Sequence, residues 1–233
     1  MPEATLKDRR DLLEYCNRLY QRDLVGSTQG NMSIRLGAGN ILITPTGGNL
    51  GYLKPSDLAI INSNGKPVGG KRKPSSEYYL HVGIYAARKD VKAICHAHPV
   101  ATTAIAISDI DINRPILPEI ICVFGAIPMI EYGTPGTSEL FEKLEPFIAE
   151  YDALVLRNHG AVTLGENLEQ AFNRMEMLER YARTLLMAKQ HGAIKEIPDD
   201  LIGQIPDAEK LARILYNYIK TSGFIRVGKI KYF

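Results

Sequence analysis

His96 and His98 stand one residue apart near the end of the apolar run Val91 to Pro99, VKAICHAHP. If that run is a strand, alternate side chains share a face, so both imidazoles point one way while Cys95 and Ala97 point the other. Two imidazoles on one face make half of a metal site. The chain has five histidines, and His159 is the best third ligand. It too closes an apolar strand, Ala153 to Leu156, and is followed by Gly160, which lets the backbone turn close to a bound ion. Three imidazoles with no fourth protein ligand match a catalytic zinc, whose open position is left for water or substrate. His81 falls inside a helical stretch and reads as a packed or surface helix residue. His191 precedes Gly192 at a helix end, where an imidazolium suits the C-terminal dipole.

A second signal is a set of turns suited to anions. Gly30-Asn31, Thr46-Gly47-Gly48 and Ser75-Ser76 each join small residues to free backbone N–H groups, and a phosphate would fit between them. Glu77 follows the serine pair directly. Beside a metal, its carboxylate could act as a general base.

The elements that must position these residues are short and closely punctuated. Leu12, Leu13, Cys16, Leu19 and Tyr20 recur at helical spacing, which predicts an amphipathic helix from about Lys7 to Arg22. Met32 to Leu36, Ile41 to Thr44 and Leu58 to Asn62 read as strands bounded by Gly, Asn or Pro, and Asn64-Gly65 marks a turn. A helix capped by the serine pair should run to Arg88, with the histidine-bearing strand after it. Ala101 to Ile107 reads as a short helix, Ile120 to Phe124 and Pro128 to Tyr132 as strands, and Thr137 to Phe147 as a helix. The stripe Leu168, Ala171, Phe172, Met175, Leu178, Ala182 predicts a long helix opened by Asn167, with Gln170 three residues on, as in a capping box. Consecutive strands in the first two thirds predict a largely antiparallel sheet, and helices at the start, middle and end can cover both faces. The expected fold is a three-layer α/β/α domain around a mixed sheet.

Composition narrows the function class. Lys plus Arg number 28 against 26 Asp plus Glu in 233 residues, and no basic block suggests nucleic acid. The N-terminus lacks signal-peptide order and no window resembles a membrane helix, so a cytoplasmic protein without membrane or nucleic-acid partners is expected. Without a linker or repeat, residues 1–233 read as one domain. Cys16, Cys95 and Cys122 form no C-x-x-C pair and sit among apolar neighbours, as buried thiols do.

In order along the chain, GNMS (Gly30 to Ser33), TPTGG (Thr44 to Gly48), KPSSE (Lys73 to Glu77), HAHP (His96 to Pro99) and RNHG (Arg157 to Gly160) resemble the class II aldolase/adducin family. The likeness runs from about Leu6 to about Gln190 and covers residues 191–233, the C-terminal tail, poorly. It implies an α/β/α homotetramer with each active site at a subunit boundary. It also implies Zn2+, or another divalent metal, on His96, His98 and His159, with Glu77 a further ligand when substrate is absent. By the same resemblance Glu77 is the catalytic acid/base, and Gly30, Asn31, Thr46, Gly47, Ser75 and Ser76 hold the phosphate of a sugar-phosphate substrate. Asn31 would also donate a hydrogen bond to the enediolate left by carbon–carbon cleavage. Glu119, in LPEI, takes the place of a tyrosine that a neighbouring subunit offers as proton donor to the aldehyde. Ser222, in KTSGF (Lys220 to Phe224), stands where a tail tyrosine is found, with Tyr216 and Tyr218 nearby.

The activity implied is zinc-dependent aldol cleavage of a ketose 1-phosphate to dihydroxyacetone phosphate and an aldehyde. The alternatives on the same site are decarboxylation of a sugar-acid phosphate and epimerisation or dehydration of a pentulose phosphate. Family epimerases carry aspartate where Glu77 stands and the dehydratase pattern lacks that acid, so Glu77 is aldolase-like. A non-catalytic adducin-like module has no reason to keep three metal-facing histidines and a carboxylate together.

Overall fold

Strand alternation sorts the apolar residues into two cores. In the computed structural model, which describes residues 4–202 and 204–205, eight strands form one sheet in the order β4-β3-β2-β1-β5-β8-β7-β6. They are β1 (Asn31–Arg35), β2 (Ile41–Ile43), β3 (Ala59–Ile61), β4 (Pro67–Gly69), β5 (Ala93–Ala97), β6 (Met129–Ile130), β7 (Ala153–Leu156) and β8 (Gly160–Gly165). Every pairing is antiparallel except β6 with β7, which is parallel. The sheet is thus mixed and largely antiparallel, as the run of consecutive strands predicts.

The helices are α1 (Leu6–Gln21), α2 (Tyr78–Ala87), α3 (Val100–Ala106), α4 (Pro118–Phe124), α5 (Ser138–Ile148), α6 (Leu168–Gln190) and α7 (Asp199–Ile202). Met32, Leu42, Ala93, Cys95, Ala97, Val155 and Ala161 project from one sheet face into a core with α1, α3, α4 and α6. Ile41, Ile43, Ile94, Leu154, Leu156, Val162 and Leu164 project from the other face against α2 and α5. The three layers follow directly from that alternation.

Arg35 of β1 fixes α2 on its face. Its guanidinium donates to the carbonyls of Tyr85, Arg88 and Val91 and lies 4.6 Å over the Tyr85 ring. The last turn of α2 and the entry to β5 are thereby tied to β1.

Several local expectations are corrected. Residues 120–124 are helical, not extended: Pro118 occupies the first turn, Gly125 caps the end at φ +64°, and Ile120, Ile121 and Phe124 turn inward. An apolar run of five fits either periodicity, and the flanking Pro and Gly decide it. The helix expected after Ser75-Ser76 starts two residues later, with Glu77 at the N-cap position and no side-chain cap; Ser75 Oγ instead accepts from Glu77 N at 3.2 Å. Strands β4 and β8 were not anticipated. Asn167 caps α6 by accepting from Gln170 N, but Gln170 reaches back to Glu166 N rather than to Asn167 N. Pro146 lies inside α5 without ending it. Cys16 and Cys95 are fully buried, whereas Cys122 is half-buried. Ser222 and the tail tyrosines lie outside the described residues.

Candidate metal centre and phosphate cradle

Strand register assembles the site. β1 and β5 pair with Asn31 directly opposite His96, and β5 pairs with β8 so that Ala97 faces Ala161. His98, the next residue but one after His96, therefore lies beside the β7–β8 hairpin that carries His159. Gly160 permits that closeness: a Cβ there would meet Ala97 O at 2.4 Å and the His98 ring at 2.9 Å. The sharp turn belongs to Asn158, at φ +57°. Gly160 thus serves strand packing, not the turn that the sequence suggested. Gly30, at φ +74°, is constrained in the same way, since a Cβ would lie 2.8 Å from His96 O.

His96, His98 and His159 converge, with one potential ligand atom from each lying within 4.8 Å of the others. His96 Nδ1 donates to Ala161 O at 2.9 Å, so its Nε2 is the nitrogen available as a ligand. His98 Nε2 lies 3.0 Å from it. Two imidazole nitrogens facing one another this closely either share one proton or direct both lone pairs at a common ion, and zinc–nitrogen bonds of about 2.0 Å match such spacing. Burial, and then the neighbouring His96 and His159, push the His98 pKa down to about 3. Burial and His96 push that of His159 to about 4. Both rings are neutral at physiological pH, as metal ligation requires. The donor set fits a zinc-type ion.

Glu77 completes the cluster. Its Oε2 is 3.1 Å from His96 Nε2 and its Oε1 3.3 Å from His159 Nε2. Burial alone would raise its pKa, but His96, His159 and the Asn31 amide hold it well below the usual carboxylate range. His96 answers in the opposite sense: burial disfavours its charge, yet the Glu77 carboxylate and the Ala161 carbonyl raise its pKa. Asn31 Nδ2 donates to Glu77 Oε2 at 2.8 Å.

The anion turns come together through an antiparallel bridge between Pro45 and Pro74. Thr46 N donates to Lys73 O and Ser75 N to Thr44 O, at 3.1 and 3.0 Å. Those two amides are therefore used structurally. The Gly47 and Ser76 N–H groups have no protein partner among the described residues, and the hydroxyls of Thr46, Ser75 and Ser76 lie on the same paired segments.

Glu119 does not join the cluster of its own chain. It is exposed in the first turn of α4, in a groove of about 590 Å³ with Arg22, Glu176, Arg180 and Tyr181. His81, expected as a packed or surface helix residue, is indeed packed in α2, and with Glu179 it also touches residues next to the cluster. His81 is fully buried and hydrogen-bonded to Asn31 and Ser33; its i,i+4 spacing from Glu77 was the available signal. Glu179 of α6 is 2% exposed and accepts from the first residues of α3, directly after His98-Pro99. Nothing local in the sequence marks it.

Comparison with known proteins decides the family. Residues 10–186 match the class II aldolase and adducin N-terminal domain. The chain belongs to this family. A 3-oxo-tetronate 4-phosphate decarboxylase of Escherichia coli O6:H1 is 33% identical over 183 residues, 77% of this chain and 86% of that protein. An L-fuculose phosphate aldolase of Methanococcus maripaludis is 36% identical over 173 residues, 74% of this chain and 93% of that protein. Among solved structures, an L-fuculose 1-phosphate aldolase superposes with a TM-score of 0.77 at 32% identity, covering 89% of this chain and 97% of the other. YgbL of Escherichia coli superposes at 0.79 with 30% identity, covering 84% and 96%. Aldol cleavage and decarboxylation both break a carbon–carbon bond, and this class II aldolase family member is a metal-dependent lyase. No helix among the described residues is long and apolar enough to cross a membrane.

Proposed function

We propose that the chain is a zinc-dependent aldolase that cleaves a ketose 1-phosphate, such as L-fuculose 1-phosphate, reversibly to dihydroxyacetone phosphate and an aldehyde. The observation that carries this reading is Glu77, held ionised between two imidazoles and the Asn31 amide at the edge of a three-histidine cluster. Cleavage between C3 and C4 leaves negative charge on the enediolate of the three-carbon fragment. A zinc ion held by His96, His98 and His159 supplies the Lewis acid that stabilises such charge.

The protein's own groups have separable tasks. The Gly47 and Ser76 amides and the Thr46, Ser75 and Ser76 hydroxyls bind the phosphate, and so fix where the reacting carbons lie. Gly30 keeps the backbone close to β5. Glu77 moves the proton at C3, and Asn31 donates its remaining Nδ2–H to an enediolate oxygen. Glu119, exposed and outside the cluster of its own chain, is the proton donor toward the aldehyde in a neighbouring copy. That role requires an oligomer, and a homotetramer with the site at a subunit boundary is the assembly proposed.

A second reading, decarboxylation of a phosphorylated keto acid, is favoured by the decarboxylase relative at 33% identity. It uses the same charge stabilisation. Metal analysis tests the shared core: the purified protein is expected to hold about one zinc per chain, and a His96→Ala, His98→Ala double variant to lose both metal and turnover. Full turnover in the double variant would overturn the proposal.

A further inference from the structure

Asn31 and Ser33 share one face of β1, and Glu77 and His81 share one side of the α2 segment, one turn apart. These pairs meet in a buried chain of hydrogen bonds. His81 is 0% exposed, with Nε2 against Asn31 Oδ1 and Nδ1 2.7 Å from Ser33 Oγ. Ser33 Oγ is in turn 2.9 Å from Tyr85 OH.

Chemistry assigns every proton along that chain. Asn31 Nδ2 lies 2.8 Å from Glu77 Oε2 and donates to it, so the amide turns its NH2 toward Glu77. Asn31 Oδ1 therefore faces His81, and a carbonyl oxygen only accepts. His81 Nε2 must carry the hydrogen. In a neutral imidazole Nδ1 is then bare and accepts from the Ser33 hydroxyl, whose oxygen accepts from Tyr85 O–H. The other acceptor near Tyr85 OH, Lys92 O, is more distant at 3.4 Å. Burial keeps His81 neutral, with its pKa pushed down to about 3.

We propose that His81 is a positioning residue: locked as the Nε2–H tautomer by Ser33 and Tyr85, it holds the Asn31 amide with its NH2 toward Glu77 and the reacting space. Without that donor the amide is free to rotate, and its Oδ1 would then face the carboxylate as a second acceptor. Both the Asn31 hydrogen bond to the substrate and the placement of Glu77 would be lost together. The kinetic consequence rests on the aldolase reading, because it needs an oxygen for Asn31 to meet; the tautomer does not.

Two experiments test the proposal. The first is a long-range 1H–15N spectrum of the full-length protein labelled with 15N-histidine, with zinc added and with zinc removed. It should show His81 as the neutral Nε2–H form near neutral pH; an Nδ1–H or doubly protonated ring would overturn the assignment. The second compares His81→Leu with His81→Gln, whose side-chain amide can donate to Asn31 and accept from Ser33. His81→Leu should lower kcat about tenfold to hundredfold with KM and zinc content little changed, and His81→Gln should regain most of the loss. A His81→Leu enzyme with unchanged kcat, or a His81→Gln enzyme no better than it, would overturn the positioning role. If His81→Leu does not fold, recovery of kcat by His81→Gln relative to Ser33→Ala decides the same point. If the wild type turns over neither ketose 1-phosphates nor phosphorylated keto acids, the functional reading fails while the spectrum still decides the tautomer.

Discussion

Glu179→Ala should be the most damaging single change outside the cluster. The carboxylate of Glu179 accepts from Ala101 N at 3.0 Å, Thr102 N at 2.8 Å and Thr102 Oγ1 at 2.9 Å, at a site where Thr102 is 0% exposed. Its outer oxygen also meets Arg183 Nε at 2.7 Å. Truncation strands three donors in a dry interior. Each costs about 1 to 3 kcal/mol when unmade, although a hydroxyl can turn and water can enter the space left behind. About 3 to 5 kcal/mol is the resulting loss of stability, the range seen when one partner of a buried charged contact is removed. For a chain of this size that lowers the thermal midpoint by roughly 6 to 20 °C. The assay is urea unfolding followed by circular dichroism, paired with zinc titration. Because α3 begins directly after His98-Pro99, zinc affinity should fall by about tenfold or more along with stability. A Glu179→Ala protein within about 1 kcal/mol of wild type, with unchanged zinc affinity, would show that these three hydrogen bonds hold neither the fold nor the cluster.

Other perturbations probe the site more locally. Glu77→Gln should keep zinc content and lower kcat by about 10²- to 10⁴-fold, as loss of a general base does; undiminished turnover would remove Glu77 from the chemistry. Gly160→Ala drives a Cβ to 2.4 Å from Ala97 O, and should destabilise the fold by about 1 to 3 kcal/mol while weakening zinc binding; a neutral result in unfolding assays would contradict the packing role. In metal-depleted protein, His81 and His98 are held neutral with pKa values near 3, and His159 with one near 4. The unfolded chain binds protons at these residues below about pH 6.5, so the contribution of these three is full above that pH and falls as pH drops toward 4, opposed only by the single His96, whose pKa is raised. Urea midpoints that stay flat from pH 7 to 4 would contradict those environments.

The parts of this fold readable from sequence are those where one local pattern dominates. The stripe of α6, the β7 run Ala153–Leu156 and the histidine-bearing β5 are of this kind. The strand β8 carries no local strand signal, because glycine stands at both of its ends; buried on both faces, it also lacks polar alternation. The α4 segment reads as a strand on its β-branched Ile-Ile and Val, but Pro118 in its first turn and Gly125 at its end make it a helix. Within the candidate site, the three histidines and Glu77 were visible as candidates because each sits in a short motif with its own chemistry. His81 and Glu179 were not, since their partners lie 50 and 78 residues away in sequence. Asn31 meeting His96 is likewise a matter of strand register, which no local pattern encodes. The physical difference is that candidate ligands announce their chemistry, whereas the groups packed around them are ordinary residues defined by contact.

Product analysis separates aldol cleavage from decarboxylation. Zinc-loaded protein is incubated with a panel of ketose 1-phosphates and phosphorylated keto acids, and dihydroxyacetone phosphate and carbon dioxide are followed in parallel. Dihydroxyacetone phosphate should form from L-fuculose 1-phosphate or another ketose 1-phosphate, with its formation abolished by EDTA and restored by zinc. Carbon dioxide from the keto acids with no dihydroxyacetone phosphate from any ketose 1-phosphate, or turnover untouched by EDTA, would contradict zinc-dependent aldol cleavage.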